Sequence, residues 1–206
     1  MKHPNKSAFN KIIDRLVKEA LAEDIGAGDV TTEAIIDGKA KARATIVARE
    51  PFVVAGQVVA KKVFKAVDSR INYTVVVKDG ARVKASNAIA VIKGPAAGML
   101  TAERVALNFL QRLSGIATLT AKFVERTKGR ARVLDTRKTT PCLRALEKYA
   151  VKVGGGANHR MGLFDAVLIK DNHIAIAGGV APAVERVWAK TKGHVEVECK
   201  TLEEVV

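Results

Sequence analysis

Arg137, Lys138, His159, Arg160 and Lys170 crowd a stretch where short apolar runs alternate with polar breaks. Arginine presents a rigid fork of donors matched to planar carboxylates, which suits an aromatic diacid. Lysine is a compact positive charge suited to phosphate, and histidine either hydrogen-bonds or moves a proton. Glu196 and Glu198 follow in VEVEC; side chains alternate along a strand, so both carboxylates share the face opposite Val195, Val197 and Cys199. On an inward face two carboxylates are costly unless cations or a metal meet them. Glu198 can hold sugar hydroxyls or Mg2+, an ion that keeps waters and needs only one or two protein carboxylates. The set suits a pair of ligands carrying carboxylates, phosphates and a sugar. Each residue alone has a plainer reading. A single Arg or Lys in a loop is usually a solvated charge, and Glu196 can be a salt-bridge partner. Cys142 beside Pro141 reads as a small packing residue. His173 has no second metal ligand at useful spacing, and His3 and His194 read as inert. Gly154-Gly155-Gly156 would let a backbone approach phosphate, yet it opens no dinucleotide-binding unit.

The elements that carry these residues follow from periodicity. Phe9, Ile12, Ile13, Leu16, Val17, Ala20 and Leu21 predict a helix over 9–24, stopped by Gly26 and Gly28. A strand is expected over 42–50, a helix over 55–67, then short strands joined by polar turns, one at Asp79-Gly80. A long helix is expected from about Leu100, capped by Thr101, with Glu103 and Arg104 in its first turn. Gly115 marks a break in it or a close packing point. Beyond it the rhythm changes: strands at 131–135, 165–171 and 194–199, helices at 141–153 (Pro141 at the start) and 181–190, and another helix beginning at TLEEVV. Such alternation predicts parallel strands with crossover helices, and in a barrel of that kind the working groups sit at the C-terminal strand ends. The fold class read from this is α/β. A mixed α+β, sandwich-like domain over 1–100 precedes an incomplete, open α/β barrel over 101–206, because eight units cannot be made from this length.

Composition narrows the function classes. The formal net charge is +14, but residues 1–100 hold 17 Lys+Arg against 10 Asp+Glu and residues 101–206 hold 18 against 11, so no basic arm stands out. Aromatics make up 4%, too few for a series of base-stacking platforms. A nucleic-acid partner is therefore not expected. Cys142 and Cys199 have no metal-ligand spacing and read as free thiols in a reducing compartment. No run of eighteen apolar residues and no signal-peptide core is present, which predicts a soluble, cytoplasmic protein without membrane partners.

The segments EDIGAGDVTT (23–32), TAERVALNFLQRLSGIATLT (101–120), DTRKTTPCLRALEKYAVKVGGGANHRMGLFDAVLIKDNHI (135–174) and VEVEC (195–199) together resemble quinolinate phosphoribosyltransferases, the carboxylating nicotinate-nucleotide pyrophosphorylases. DTRKTTP, GGGxNHR and IKDNH in that order make the resemblance specific. It implies a barrel of the type II phosphoribosyltransferase kind. It also implies transfer of phosphoribosyl from phosphoribosyl pyrophosphate to quinolinate, with CO2 and pyrophosphate released, Mg2+ as cofactor, and a step in NAD synthesis. By the same resemblance Arg137, His159 and Arg160 receive the quinolinate carboxylates. Arg104 reaches the same pocket from the partner of a homodimer, with its helix N-terminus adding donors. Lys138 and Lys170 meet the pyrophosphate and carboxylate groups. Glu198 meets ribose and Mg2+, with Glu196 beside it as a substrate-binding residue. The resemblance further implies that the chain is C-terminally truncated, with a second acidic residue and the 5'-phosphate loops expected beyond Val206. Cys142 stands where many relatives carry glycine, and a small residue there is expected to matter little. Two related readings compete: a nicotinate phosphoribosyltransferase, which takes a monoacid and releases no CO2, and a paralogue linked to molybdenum transport. A basic nucleic-acid-binding module is the remote third.

Overall fold

The structure is a computed structural model that describes residues 5–205, so His3 lies outside the described residues. It divides into two compact units, residues 5–158 and residues 159–205. The expected boundary between 100 and 101 falls inside one helix of the first unit.

In the first unit α1 (Lys6–Ile25) starts at Asn5, whose side chain accepts from the Ala8 amide, and buries Ile13, Leu16, Val17 and Leu21. This is the face its apolar spacing predicts. A short α2 (Val30–Ile35), not foreseen, is capped by the Asp29 carboxylate accepting from Thr32 N. Strands β1 (Lys41–Val47), β2 (Phe52–Val53), β3 (Asn72–Val75), β4 (Arg82–Val83) and β5 (Ala88–Pro95) surround α3 (Gln57–Val67). They pair antiparallel as a sheet in the order β1-β5-β3 and a small β2-β4 ribbon. The Asp79-Gly80 turn forms as expected. Its Asp79 carboxylate accepts from Gly56 N (3.0 Å) and Gln57 N (3.1 Å), capping α3 from a distance.

The helix α4 (Ala96–Thr127) is the spine of this unit. It begins at Ala96, before the expected Leu100, and Thr101 does not cap it. The Thr101 hydroxyl donates inside the helix to the Ala97 carbonyl (3.1 Å) and to Asp29 (2.9 Å). Glu103 and Arg104 therefore lie beyond the first turn, and Arg104 gains no donors from a helix N-terminus. Gly115 neither breaks the helix nor packs closely, since a Cβ there would meet nothing within 4 Å. Met99, Ala102, Val105, Leu110 and Leu113 of α4 join Val59, Val63 and Phe64 of α3, Tyr73, Ile92 and the α1 face in one core.

Residues 131–135 are not a strand: only Leu134 makes a bridge, parallel, to Ala157. The next helix, α5 (Arg144–Val153), starts after Pro141. Cys142 explains the delay, because its φ of +66° is left-handed and cannot sit within an α-helix. It also explains why glycine suits that position, so the residue there matters more than its size suggested. The triple glycine packs α5 on α4. A Cβ on Gly154 would lie 2.8 Å from the Thr120 Cβ, one on Gly156 would lie 2.9 Å from the Thr120 Cγ2, and Gly155 takes φ +89°. Packing and turn geometry account for all three glycines without a phosphate.

In the second unit β6 (Val167–Ile169) and β7 (Val195–Val197) pair in parallel, as the alternation predicted. They are linked through α6 (Asp171–Ala177) and α7 (Val180–Trp188). The unforeseen α6 follows β6 directly, and Lys170 N donates to His173 Nδ1 (2.9 Å) across its first turn. His173 thus serves the helix start. TLEEVV forms a 3-10 turn over Glu203–Val205, short of a full helix.

Candidate functional site

In the first unit the DTRK segment forms a loop from Asp135 to Thr140. Arg137 is half-buried and Lys138 exposed. Thr139 N donates to the Arg137 carbonyl (3.0 Å) and Lys138 N to Thr136 Oγ1 (3.0 Å), so the loop curls on itself. Arg144, at the start of α5, donates from Nε to Thr139 Oγ1 (3.0 Å) and from Nη2 to the Arg137 carbonyl (3.3 Å). Arg104 stands exposed on α4.

In the second unit Arg160 is buried at 5% exposure and donates from Nη1 to the Ala166 carbonyl (3.2 Å). His159 Nε2 lies 2.7 Å from Glu196 Oε2, a hydrogen bond through which Glu196 positions the imidazole. Lys170 follows β6 directly, and its Nζ is 3.6 Å from Glu198 Oε2, just past β7. Val195 and Val197 are half-buried while the Glu196 and Glu198 side chains are 49% and 62% exposed, so the predicted alternation holds but the two carboxylates are not enclosed on an inward face as expected. Exposure and a lysine or histidine partner lower the expected cost of two like charges on one face. Asp171, first residue of α6, accepts from the Asn172 amide and pairs with Lys200, and both hold its carboxyl below the usual range.

Two buried side-chain nitrogens lack a hydrogen-bond partner among the described residues: Arg137 Nε and Arg160 Nε. Buried donors are normally satisfied, and an orphan costs on the order of 1–3 kcal/mol, more on a charged group. Both belong to arginines that residue type alone had marked for carboxylates. Sequence reasoning overlooked the residues holding the first loop. Lys148 makes a buried ion pair with Asp135, Asn158 donates to Asp135 (2.5 Å), and Arg112 pairs with Glu147. A lysine and a glutamate side by side in an amphipathic helix look like solvated charges, so nothing local betrayed their burial. Among the described residues no group of three or more His, Cys, Asp or Glu side chains is arranged as a metal cage. A single carboxylate such as Glu198 fits a Mg2+ carried largely by phosphate and water.

In the second unit, a parallel β–α arrangement with cations and carboxylates just past its strands is the strand-end type of α/β site, suited to an anionic ligand. The comparisons sharpen this. The model of the quinolinate phosphoribosyl transferase N-terminal domain matches residues 29–114 and that of the C-terminal domain residues 116–206. A probable carboxylating nicotinate-nucleotide pyrophosphorylase of Bacillus subtilis is 43% identical, over 94% of this chain and 68% of its own length. A chloroplastic carboxylating nicotinate-nucleotide pyrophosphorylase of Arabidopsis thaliana is 45% identical, over 100% of this chain and 60% of its own length. The solved nicotinate-nucleotide pyrophosphorylase of Francisella tularensis superposes with a TM-score of 0.91 at 44% identity, covering 99% of this chain and 71% of that one. The chain belongs to the quinolinate phosphoribosyltransferase family. It spans between 60% and 68% of the length of those two curated relatives.

Proposed function

We propose that this chain carries the reaction of its family: phosphoribosyl transfer to quinolinate with decarboxylation, giving nicotinate mononucleotide, pyrophosphate and CO2 for NAD synthesis. The observation that carries the reading is the pair of buried, unpartnered guanidinium nitrogens on Arg137 and Arg160. A carboxylate bound at either arginine would satisfy its nitrogen. Two guanidiniums carry more positive charge than a monoacid requires, which favours quinolinate over nicotinate.

In this proposal Arg137, His159 and Arg160 take the quinolinate carboxylates and turn the ring nitrogen toward C1 of phosphoribosyl pyrophosphate. That orientation makes attack effectively intramolecular. The nitrogen lone pair forms the new bond to C1 while the bond from C1 to pyrophosphate breaks with its electron pair. Lys138 and Lys170 stabilise the departing phosphates electrostatically. Glu198 holds the ribose hydroxyls and would hold Mg2+, which when bound neutralises phosphate charge. The ring nitrogen, now cationic, accepts the electrons released as the adjacent carboxylate leaves as CO2, and a proton takes the vacated ring carbon. No pyridoxal or flavin is required.

The homodimer in which Arg104 serves the partner's site belongs to the same proposal. Its support is that Arg104 is exposed on a helix that also exposes Leu100, Leu119 and Phe123, beside an apolar groove lined by Ala42, Ala44, Ile46 and Leu107. A cytoplasmic location is part of the proposal as well; no helix among the described residues is long and apolar enough to cross a membrane.

Calorimetric titration tests the pocket. Pyridine-2,3-dicarboxylate should bind at least tenfold more tightly than pyridine-3-carboxylate, and Arg137→Ala should abolish the difference. Equal binding of the two acids would transfer the assignment to a monoacid enzyme.

A further inference from the structure

Two consecutive residues of α5 grip opposite ends of the basic loop. At its first residue, Asp135 pairs with Lys148, the two side chains being 6% and 2% exposed. Asn158 Nδ2 donates to Asp135 (2.5 Å) and to the Lys148 carbonyl (2.8 Å), so the pair is enclosed by a third polar group. At the other end, Glu147 Oε2 accepts from Thr140 N (3.2 Å), while Arg112 of α4 donates to Glu147 Oε1 and to Thr140 Oγ1. Burial raises the Glu147 carboxyl, and the bonds from Arg112 and Thr140 outweigh it, so the group is held below its ordinary value.

A buried ion pair is weak evidence for stability, because well-packed apolar residues often serve as well. Its use is geometric. Arg137 and Lys138 lie between the two anchors, in a loop whose own bonds are few and local. We infer that Glu147 and Lys148 are positioning residues: they preset the Asp135–Thr140 loop so that Arg137 and Lys138 meet an anionic ligand already in place. A preformed loop pays no ordering cost when ligand arrives. The inference rests on the proposed role of Arg137 and Lys138 as anion ligands.

The test uses the full chain, the paired replacement Asp135→Asn with Lys148→Met, the single replacement Glu147→Gln, and Arg137→Ala as reference. Removing both members of the buried pair avoids stranding one charge. Hydrogen exchange of the 136–140 amides is measured without ligand, and binding of benzene-1,2-dicarboxylate, an aromatic diacid with no ring nitrogen to react, is measured by calorimetry. Melting temperature monitors the fold. The expected result for both anchor variants is loop exchange about tenfold faster, with exchange in α4 and β5 unchanged and dicarboxylate binding weakened about tenfold. Arg137→Ala should lose binding with the loop still protected. Parent-like loop exchange in a folded anchor variant overturns the inference; if the paired variant does not fold, Glu147→Gln decides alone. Parent-like binding by Arg137→Ala sinks the pocket assignment instead, while loop exchange still reports on the anchors.

Discussion

Gly154→Ala isolates the contact that fixes α5, and with it the basic loop, against α4. Gly154 has φ −74°, so an alanine there suffers no backbone strain and the effect is purely one of space. The added Cβ would overlap the Ala117 carbonyl oxygen and lie 2.8 Å from the Thr120 Cβ. Carbon atoms pack best at about 3.5–4.0 Å, so the two helices must part by about an ångström. Overpacking a dense core costs roughly 1–3 kcal/mol, and the rigid backbone neighbour puts this case at the upper end. A loss of about 3 kcal/mol lowers the melting temperature of a domain this size by roughly 6–12 °C. Gly115→Ala is the internal control, because it lies in α4 with nothing within 4 Å of the new Cβ. It should gain about 1 kcal/mol from helix propensity, or roughly 2–4 °C. Thermal unfolding by circular dichroism reads both. A Gly154→Ala protein melting within about 2 °C of the parent would refute the close-packing account of the triple glycine.

Cys142→Gly should stabilise by about 0.5–1 kcal/mol, since relief of a left-handed residue exceeds the added chain entropy; an unchanged or lower denaturation midpoint would contradict this. Glu147, with its folded value below the ordinary 4.5, contributes stability that is present above that pH and lost as pH falls through the folded value. Glu147→Gln should therefore flatten the acid side of the melting-temperature profile below about pH 4.5, and an unaltered slope would remove Glu147 as a contributor. Mixed dimers of Arg104→Ala and Arg137→Ala should regain activity in one of two sites, whereas no recovery over the separate variants would argue against a shared site.

The helices with a wide apolar stripe, α1 and α3, were legible from spacing, as were the parallel pair β6 and β7 and the shared face of Glu196 and Glu198, though not the exposure of that face. The failures have local causes. ARVLD has strand composition, but only Leu134 meets a bridge partner, so the segment stays an isolated extended stretch. Thr101 mimics a cap, yet α4 begins earlier, at Ala96, where its first turn packs close to Asp68 and Ile71 at Gly98. Pro141 is acceptable at a helix start, but the left-handed Cys142 postpones the helix to Arg144. The short helices α2 and α6 carry too few turns for a periodic signal. Arginine and lysine types marked Arg137, Arg160 and Lys170 as site candidates, because charge chemistry is local. The anchors Glu147, Lys148 and Asn158 depend on α5 folding back over the loop, which no local pattern encodes.

The most direct test supplies this chain with phosphoribosyl pyrophosphate, Mg2+ and quinolinate carrying isotope in the carboxylate next to the ring nitrogen. Labelled CO2 and nicotinate mononucleotide should appear in equal amounts, only when phosphoribosyl pyrophosphate is present, and nicotinate should give no product. Mononucleotide formed from nicotinate, with no label released from quinolinate by the same folded protein, would contradict the account.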